Sequence, residues 1–265
     1  MKNLFKKFIF LSTIIMVTVI FVGFSHSAIK KDAIIGIWLL DDAKGDTAKD
    51  SSGNGRDGKA NGTIKWAKGK FGGGIEFVGS ESINIPHEEI FDFGDKRSFS
   101  VVVWFNFSTA QDWNRLVRGR NPGPWQGGNT GWELQTQALM IHWSLDDVSK
   151  NHVKNTYDNA GNGSWRHTAM IVDRSKKKMI TYLDGENEKI VDISNIVSIT
   201  SGLPIVIGGG IRGSLDEVAI FDTAITQEDV QIIMNKGLTD ALKGMMAVQP
   251  LSKLSVTWGD IKIRK

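Results

Sequence analysis

The sequence predicts an all-β fold, a two-sheet antiparallel jelly-roll β-sandwich, and three observations carry that expectation. Short runs of β-branched and aromatic residues recur along most of the chain, each bounded by Gly, Asn, Asp or Ser. Many of these runs alternate apolar and polar residues with period two, as half-buried strands do. Only one stretch, near Gln227, carries helix chemistry. The 265 residues contain no cysteine, so disulfides and thiolate metal sites are excluded. A single sandwich of this size buries enough apolar surface to stand without either.

Taken in order, the strands are expected at 34–40, 64–66, 74–77, 82–85, 99–107, 132–135, 139–144, 167–173, 178–183, 189–191, 205–208 and 213–221. Within 99–107, Val101, Val103 and Phe105 share one face and Val102 and Trp104 the other, which predicts a central strand buried on both sides. In 165–173, Trp165, His167, Ala169, Ile171 and Asp173 oppose Arg166, Thr168, Met170 and Val172. Asp184-Gly185 is the residue pair a tight hairpin turn requires. Thr226 followed by Glu228 and Asp229 reads as an N-cap with acids in the first turn, so the one helix is predicted over about 227–236. After Gly237 the pattern weakens into a tail over 241–265, with Trp258 as its one large aromatic.

The first 27 residues read as a signal peptide rather than as fold. Lys2, Lys6 and Lys7 precede an apolar run from Phe8 to Phe24, and the small residues Ser25, Ser27 and Ala28 follow where a peptidase would cut. The run also approaches the length of a short membrane span, so an uncleaved anchor is the competing reading. The expected organisation is therefore a leader at 1–27, a sandwich at 28–240 and a tail at 241–265, in a secreted or periplasmic protein. Of 32 basic and 29 acidic residues the leader holds three lysines and no acid, which leaves 29 against 29. A neutral mature chain argues against nucleic acid as a partner, and nothing beyond the leader suggests a membrane.

Six segments in sequence resemble one family. Gly36-Ile37-Trp38-Leu39-Leu40-Asp41-Asp42 with Asp50-Ser51-Ser52-Gly53-Asn54 looks like its first strand and following turn. Gly72-Gly73-Gly74-Ile75-Glu76-Phe77, Ser98-Phe99-Ser100-Val101-Val102-Val103-Trp104, Trp165-Arg166-His167 and Tyr182-Leu183-Asp184-Gly185 are similar to its later strands. The glycine cluster Gly208-Gly209-Gly210, the strand holding Asp216 and the short helix after it resemble its closing segment. The chain is thus similar to laminin-G-like, concanavalin A-like lectin/glucanase domains over roughly 34–235. That resemblance implies recognition of a polysaccharide or glycoconjugate, or of an extracellular protein. It also implies Trp38, Trp104 and Trp165 as packing residues.

Three kinds of site were weighed on the residues. Glucanases of this architecture need two carboxylates flanking a sugar bond, but Glu133 stands alone on its strand and Glu88-Glu89 lie in a loop. No nucleophile elbow or zinc motif appears either, so a binding domain is expected rather than an enzyme. The resemblance implies a structural calcium beside the first and last strands, with Asp216, Asp41 and Asp42 as candidate ligands. The alternative reading makes Asp216 an acceptor for buried backbone amides and the Asp50–Asp57 loop a set of Asx turns. For a glycan, the richest stretch is 111–129, read as loop: Trp113 and Trp125 offer ring faces, Arg115, Arg118 and Asn129 polar contacts, and Arg115, Arg118 and Arg120 a positive charge suited to an acidic polysaccharide. One of His142 and Trp143 must face outward from its strand, so both join the candidate set.

Overall fold

The computed structural model of the protein describes residues 29–120 and 129–243. The predicted leader, Trp125, Trp258 and nearly all of the predicted tail lie outside the described residues. In chain order the strands are β1 (Ile34–Trp38), β2 (Thr47–Ala48), β3 (Gly58–Asn61), β4 (Lys65–Lys68), β5 (Gly73–Val78), β6 (Ser82–Ile85), β7 (Phe99–Asn106) and β8 (Gln111–Arg120). They continue as β9 (Gly131–Ala138), β10 (Met140–Asp146), β11 (His152–Tyr157), β12 (Arg166–Asp173), β13 (Lys178–Leu183), β14 (Glu186–Asp192), β15 (Ile205–Gly208) and β16 (Arg212–Phe221), and the helix α1 spans Gln227–Ala241.

Two antiparallel sheets face one another. The back sheet runs β14-β13-β12-β7-β16-β5-β4 with β1 beside β16, and the front sheet runs β11-β10-β9-β8-β15-β6-β3-β2. Between them lies a core that includes Ile75, Phe77, Val101, Val103, Phe105 and Leu215 from the back and Val117, Trp132, Leu134, Ile141, Trp143 and Ile207 from the front. A second apolar layer covers the outward side of the back sheet. There Ile37, Val102, Ala169, Tyr182 and Ala219 meet Val230, Ile233 and Leu238 of α1. This is why β7 is apolar on both faces, as its sequence predicts. At one side the sheets are tied together, since Asn155 Nδ2 donates to the Lys189 carbonyl at 3.0 Å and the Tyr157 hydroxyl to the Asn187 carbonyl at 2.9 Å.

Local chemistry explains the punctuation. Thr226 caps α1: its hydroxyl accepts from the Asp229 amide, whose carboxylate accepts from the Thr226 amide in return. Gly237, at φ 75°, interrupts the helix close to its predicted end. Asp184 and Gly185 both have positive φ, as a two-residue hairpin needs. The Asp50-Ser51-Ser52-Gly53-Asn54 turn is a lock on β1. Asp50 Oδ1 accepts from the Ile37 and Ser52 amides, and Asn54 Nδ2 donates to the carbonyls of Ile34 and Ile35.

The stretch 111–120, expected as loop, is the strand β8. Its alternation is hidden because the pairing with β9 slips twice, between Asp112 and Arg115 and again between Arg115 and Val117. Each slip is a β-bulge that inserts a residue and re-aims the next side chain.

Candidate functional site

Those two bulges build the outward face of the front sheet. Without them Arg115 and Arg118, three residues apart, would point to opposite sides of the sheet. With them both stand on the outside, because Arg115 pairs with Gln135 and Arg118 with Glu133, while Leu134 and Trp132 face the core. Three cross-strand rows result. Arg115, Gln135, His142 and Thr156 form one; Arg118, Glu133, Ser144 and Lys154 the next; Arg120, Gly131, Asp146 and His152 the third.

Trp113 sits at the first bulge with a φ of 57°, a left-handed backbone that a bulky residue rarely adopts. Its side chain is 39% exposed, although it is a large aromatic. The indole lies nearly parallel to the His142 imidazole, with centroids 6.3 Å apart and planes at 20°. His142 is buried, and its Nδ1 is 2.6 Å from the Thr156 hydroxyl. Burial, with Lys154 nearby, pushes the imidazole down to about 4, so it is neutral at physiological pH.

The charged groups of the face are not treated alike. Arg120 is buried and donates from one nitrogen to Glu133 Oε1 at 2.9 Å and to Asp146 Oδ2. Asp146 also meets His152 Nδ1 at 3.1 Å. Arg115 Nε lies 3.7 Å from Glu133 Oε2. Burial raises the Glu133 carboxyl above its ordinary range, and the guanidiniums of Arg120 and Arg115 pull against that shift. A glycosidase needs its two carboxylates on either side of a sugar bond; here Glu133 and Asp146 hold one guanidinium between them.

A laminin G family model, described as the concanavalin A-like lectin/glucanases superfamily, matches residues 77–231. The chain belongs to that superfamily. Among known proteins this concanavalin A-like chain is 24% identical over 162 residues to the non-toxic nonhemagglutinin type C of Clostridium botulinum C phage, a match covering 58% of the chain and 13% of the relative. It is 28% identical over 124 residues to the type A protein of Clostridium botulinum strain Kyoto, covering 45% of the chain and 10% of the relative. Among solved structures it resembles the binding domain of Paraclostridial Mosquitocidal Protein 1, with a TM-score of 0.64 and 19% identity over 77% of this chain and 52% of that one. It also resembles the ligand binding domain of botulinum neurotoxin serotype D, solved in complex with N-acetylneuraminic acid. That match has a TM-score of 0.61 and 17% identity over 77% of this chain and 51% of the other. The concanavalin A-like chain thus spans about an eighth of the curated relatives and half of these binding domains. The similar structures are binding domains by description.

The carboxylates where such a superfamily member was expected to hold calcium are drawn into backbone hydrogen bonds. Asp216 Oδ2 accepts from the amides of Lys70 and Phe71 at 2.7 and 2.9 Å. Asp41 accepts from the Gly73 amide, and Asp42 turns to the Lys49 amide at 3.0 Å. A Cβ on Gly69 would stand 2.5 Å from Asp216 Oδ2, so the glycine lets the loop wrap that closely. Asp216 Oδ1 is buried without a hydrogen-bond partner. Burial pushes Asp216 up to about 7 and its neighbour Glu217 up to about 8. Glu217, at φ 47° on a bulge, accepts from the Leu238 amide with both oxygens and fixes the break in α1. Among the described residues no group of three or more His, Cys, Asp or Glu is placed to hold a metal ion.

The structure therefore brings Trp113, Arg115, Arg118 and His142 onto one face. Asn129 is half-buried just ahead of β9. Trp143 is a correction: it points inward, is fully buried against Trp132, and donates from its indole to the Thr168 hydroxyl at 2.8 Å. Sequence reasoning missed Gln135, Ser144 and Asp146 as members of the face. The signal was present, since Glu133 and Gln135 alternate with Trp132 and Leu134, and His142 and Ser144 with Ile141 and Trp143.

Proposed function

We propose that this chain is an exported, non-catalytic carbohydrate-binding domain whose ligand surface is the outward face of the front sheet around Trp113. The carrying observation is the exposed Trp113 ring, held in a left-handed backbone at a bulge and stacked on a neutral, buried histidine. Apolar C–H faces of sugar rings stack on such an indole, while the guanidiniums, Gln135 and Ser144 beside it match sugar hydroxyls. Strained backbone of this kind concentrates at ligand sites. The likeness to a binding domain solved with N-acetylneuraminic acid supports a sugar ligand. Trp125 and Asn129 belong to the proposed surface on sequence grounds.

Retention on immobilised glycans tests the reading. Wild-type protein is expected to be retained and eluted by free sugar, and Trp113→Ala to lose retention with its unfolding midpoint intact. Capture of an extracellular protein that free sugar does not compete would favour the second reading, a cell-surface assembly module. Among the described residues no helix is long and apolar enough to cross a membrane. For Asp216 we propose the hydrogen-bond role. Its thermal midpoint test is chelation, expected to leave the midpoint unchanged; a drop reversed by Ca²⁺ and absent in Asp216→Ala would make Asp216 and Asp41 calcium ligands instead.

A further inference from the structure

The three arginines of β8 stand on one face within six residues, yet only two of them have met an anion. Arg120 is clamped by Glu133 and Asp146, and Arg115 leans on Glu133. Among the described residues no hydrogen bond or ion pair reaches Arg118, and its Nε is buried without an acceptor. Arg118 is half-buried and lies across from Glu133, whose charge acts on it, but no acceptor reaches its Nε, and a buried donor left without a partner is costly unless something outside the chain repays it. The three rows hold four cations, Arg115, Arg118, Arg120 and Lys154, against two carboxylates, Glu133 and Asp146. Both acids are engaged by Arg120, and Arg118 feels the Glu133 charge across the strand pair without a hydrogen bond to it.

The space around that side chain is kept open. Gly208, Gly209 and Gly210 follow one another at φ 81°, 95° and 122°, a path closed to ordinary L residues. A Cβ at Gly209 would come within 3.3 Å of Arg118 Nη1, and one at Gly210 within 3.1 Å of Asn114 Oδ1. Gly208 faces the core ring of Phe77 instead, so it is Gly209 and Gly210 that keep side chains away from the guanidinium and from Asn114 beside it. Along the same outward face, the Ser144 hydroxyl and the Gln135 amide nitrogen are also buried without hydrogen-bond partners. They are two donors set near a fork-shaped cation.

We propose that Arg118 is the anchor for the carboxylate of an acidic sugar, seated beside Gly209 and Gly210, with Gln135 and Ser144 donating to the same ligand. This rests on the reading of the face as a glycan surface. Planar, bidentate pairing is what a guanidinium offers a carboxylate, and it distinguishes a uronic or sialic acid from a neutral sugar of similar shape.

The test is calorimetric titration of the full mature chain with sialyllactose and oligogalacturonate, each against its neutral counterpart, lactose and galacto-oligosaccharide, and against a sulfated carrageenan oligosaccharide. An acidic carboxylate sugar is expected to bind at least about tenfold more tightly than its neutral partner, with the advantage shrinking as salt rises. Arg118→Gln is expected to erase that preference while the thermal midpoint stays level or rises, because a buried donor without an acceptor has been removed. A merely structural arginine would lower the midpoint instead. Equal binding of acidic and neutral sugars by the wild type would overturn the anchor and leave the glycan surface standing. A preference for the sulfated probe would overturn the carboxylate assignment. No binding to any probe would overturn the glycan surface and the anchor together.

Discussion

The two outward faces of this sandwich are built from the same alternation and have opposite fates. On the back sheet the row Tyr182, Ala169, Val102, Ala219 and Ile37 is apolar from strand to strand, and α1 seals it with Val230, Ile233 and Leu238. On the front sheet the equivalent rows are arginines, acids, histidines and hydroxyls. The histidines show the difference in small. His167 is entombed beside Trp104, centroids 5.2 Å apart, and burial pushes it down to about 3. Among the described residues neither of its ring nitrogens finds a hydrogen-bond partner. His142 is equally buried, but it meets a hydroxyl and lies under an exposed indole. Buried carboxylates on the back face accept from backbone amides of loop and helix. On the front face they accept from side chains, and one arginine, Arg118, has no hydrogen bond among the described residues. One face is committed to stability, and the other is the one proposed for a ligand.

That contrast can be broken from either side. The largest effect is expected from Ile233→Ala, which empties part of the layer under α1 and should cost about 3 kcal/mol in urea unfolding. Sugar affinity of the folded variant should not move, and a parallel loss would show that the two faces are coupled. Next comes pH. Asp216 and Glu217 titrate near 7 and 8 in the folded chain but in the ordinary carboxylate range when unfolded, so the native state holds protons the unfolded chain has released. Stability should therefore fall as pH rises from about 4 to about 8 and level off above. Asp216→Asn should flatten part of that slope in urea midpoints taken across the range. On the front face Trp113→Ala should weaken sugar binding by at least about tenfold, or roughly 1.4 kcal/mol, with no fall in the unfolding midpoint. The smallest effect belongs to the helix start, where Thr226→Ala removes the cap and should cost about 1 kcal/mol.

Much of the covered face was legible in the sequence. A strand apolar on both sides, as Val101–Phe105 is, must lie between two layers, and Thr226 with Asp229 announces the helix that supplies one of them. The Asp184-Gly185 turn was equally plain. The front face was harder to read for a physical reason. Bulges at Trp113 and beside Arg115 break the period-two pattern, so β8 resembled a loop although Leu116 and Val117 point to burial. Parity was the second obstacle. His142 and Trp143 are adjacent, and only the register with β9 decides which of them faces out. The third was partner choice. Three arginines in 115–120 look alike in a sequence, and only the fold shows that Glu133 and Asp146 both went to Arg120.

The claim that the front face is the binding surface is tested most directly by NMR titration of the protein, labelled at its indole and guanidinium N–H groups, with an oligosaccharide it retains. The account predicts that the Trp113 indole and the Arg118 Nε–H signals shift together, while Trp38, Trp104 and Trp143 stay in place. Shifts confined to Trp104 and the residues beneath α1, with Trp113 and Arg118 unmoved, would contradict it.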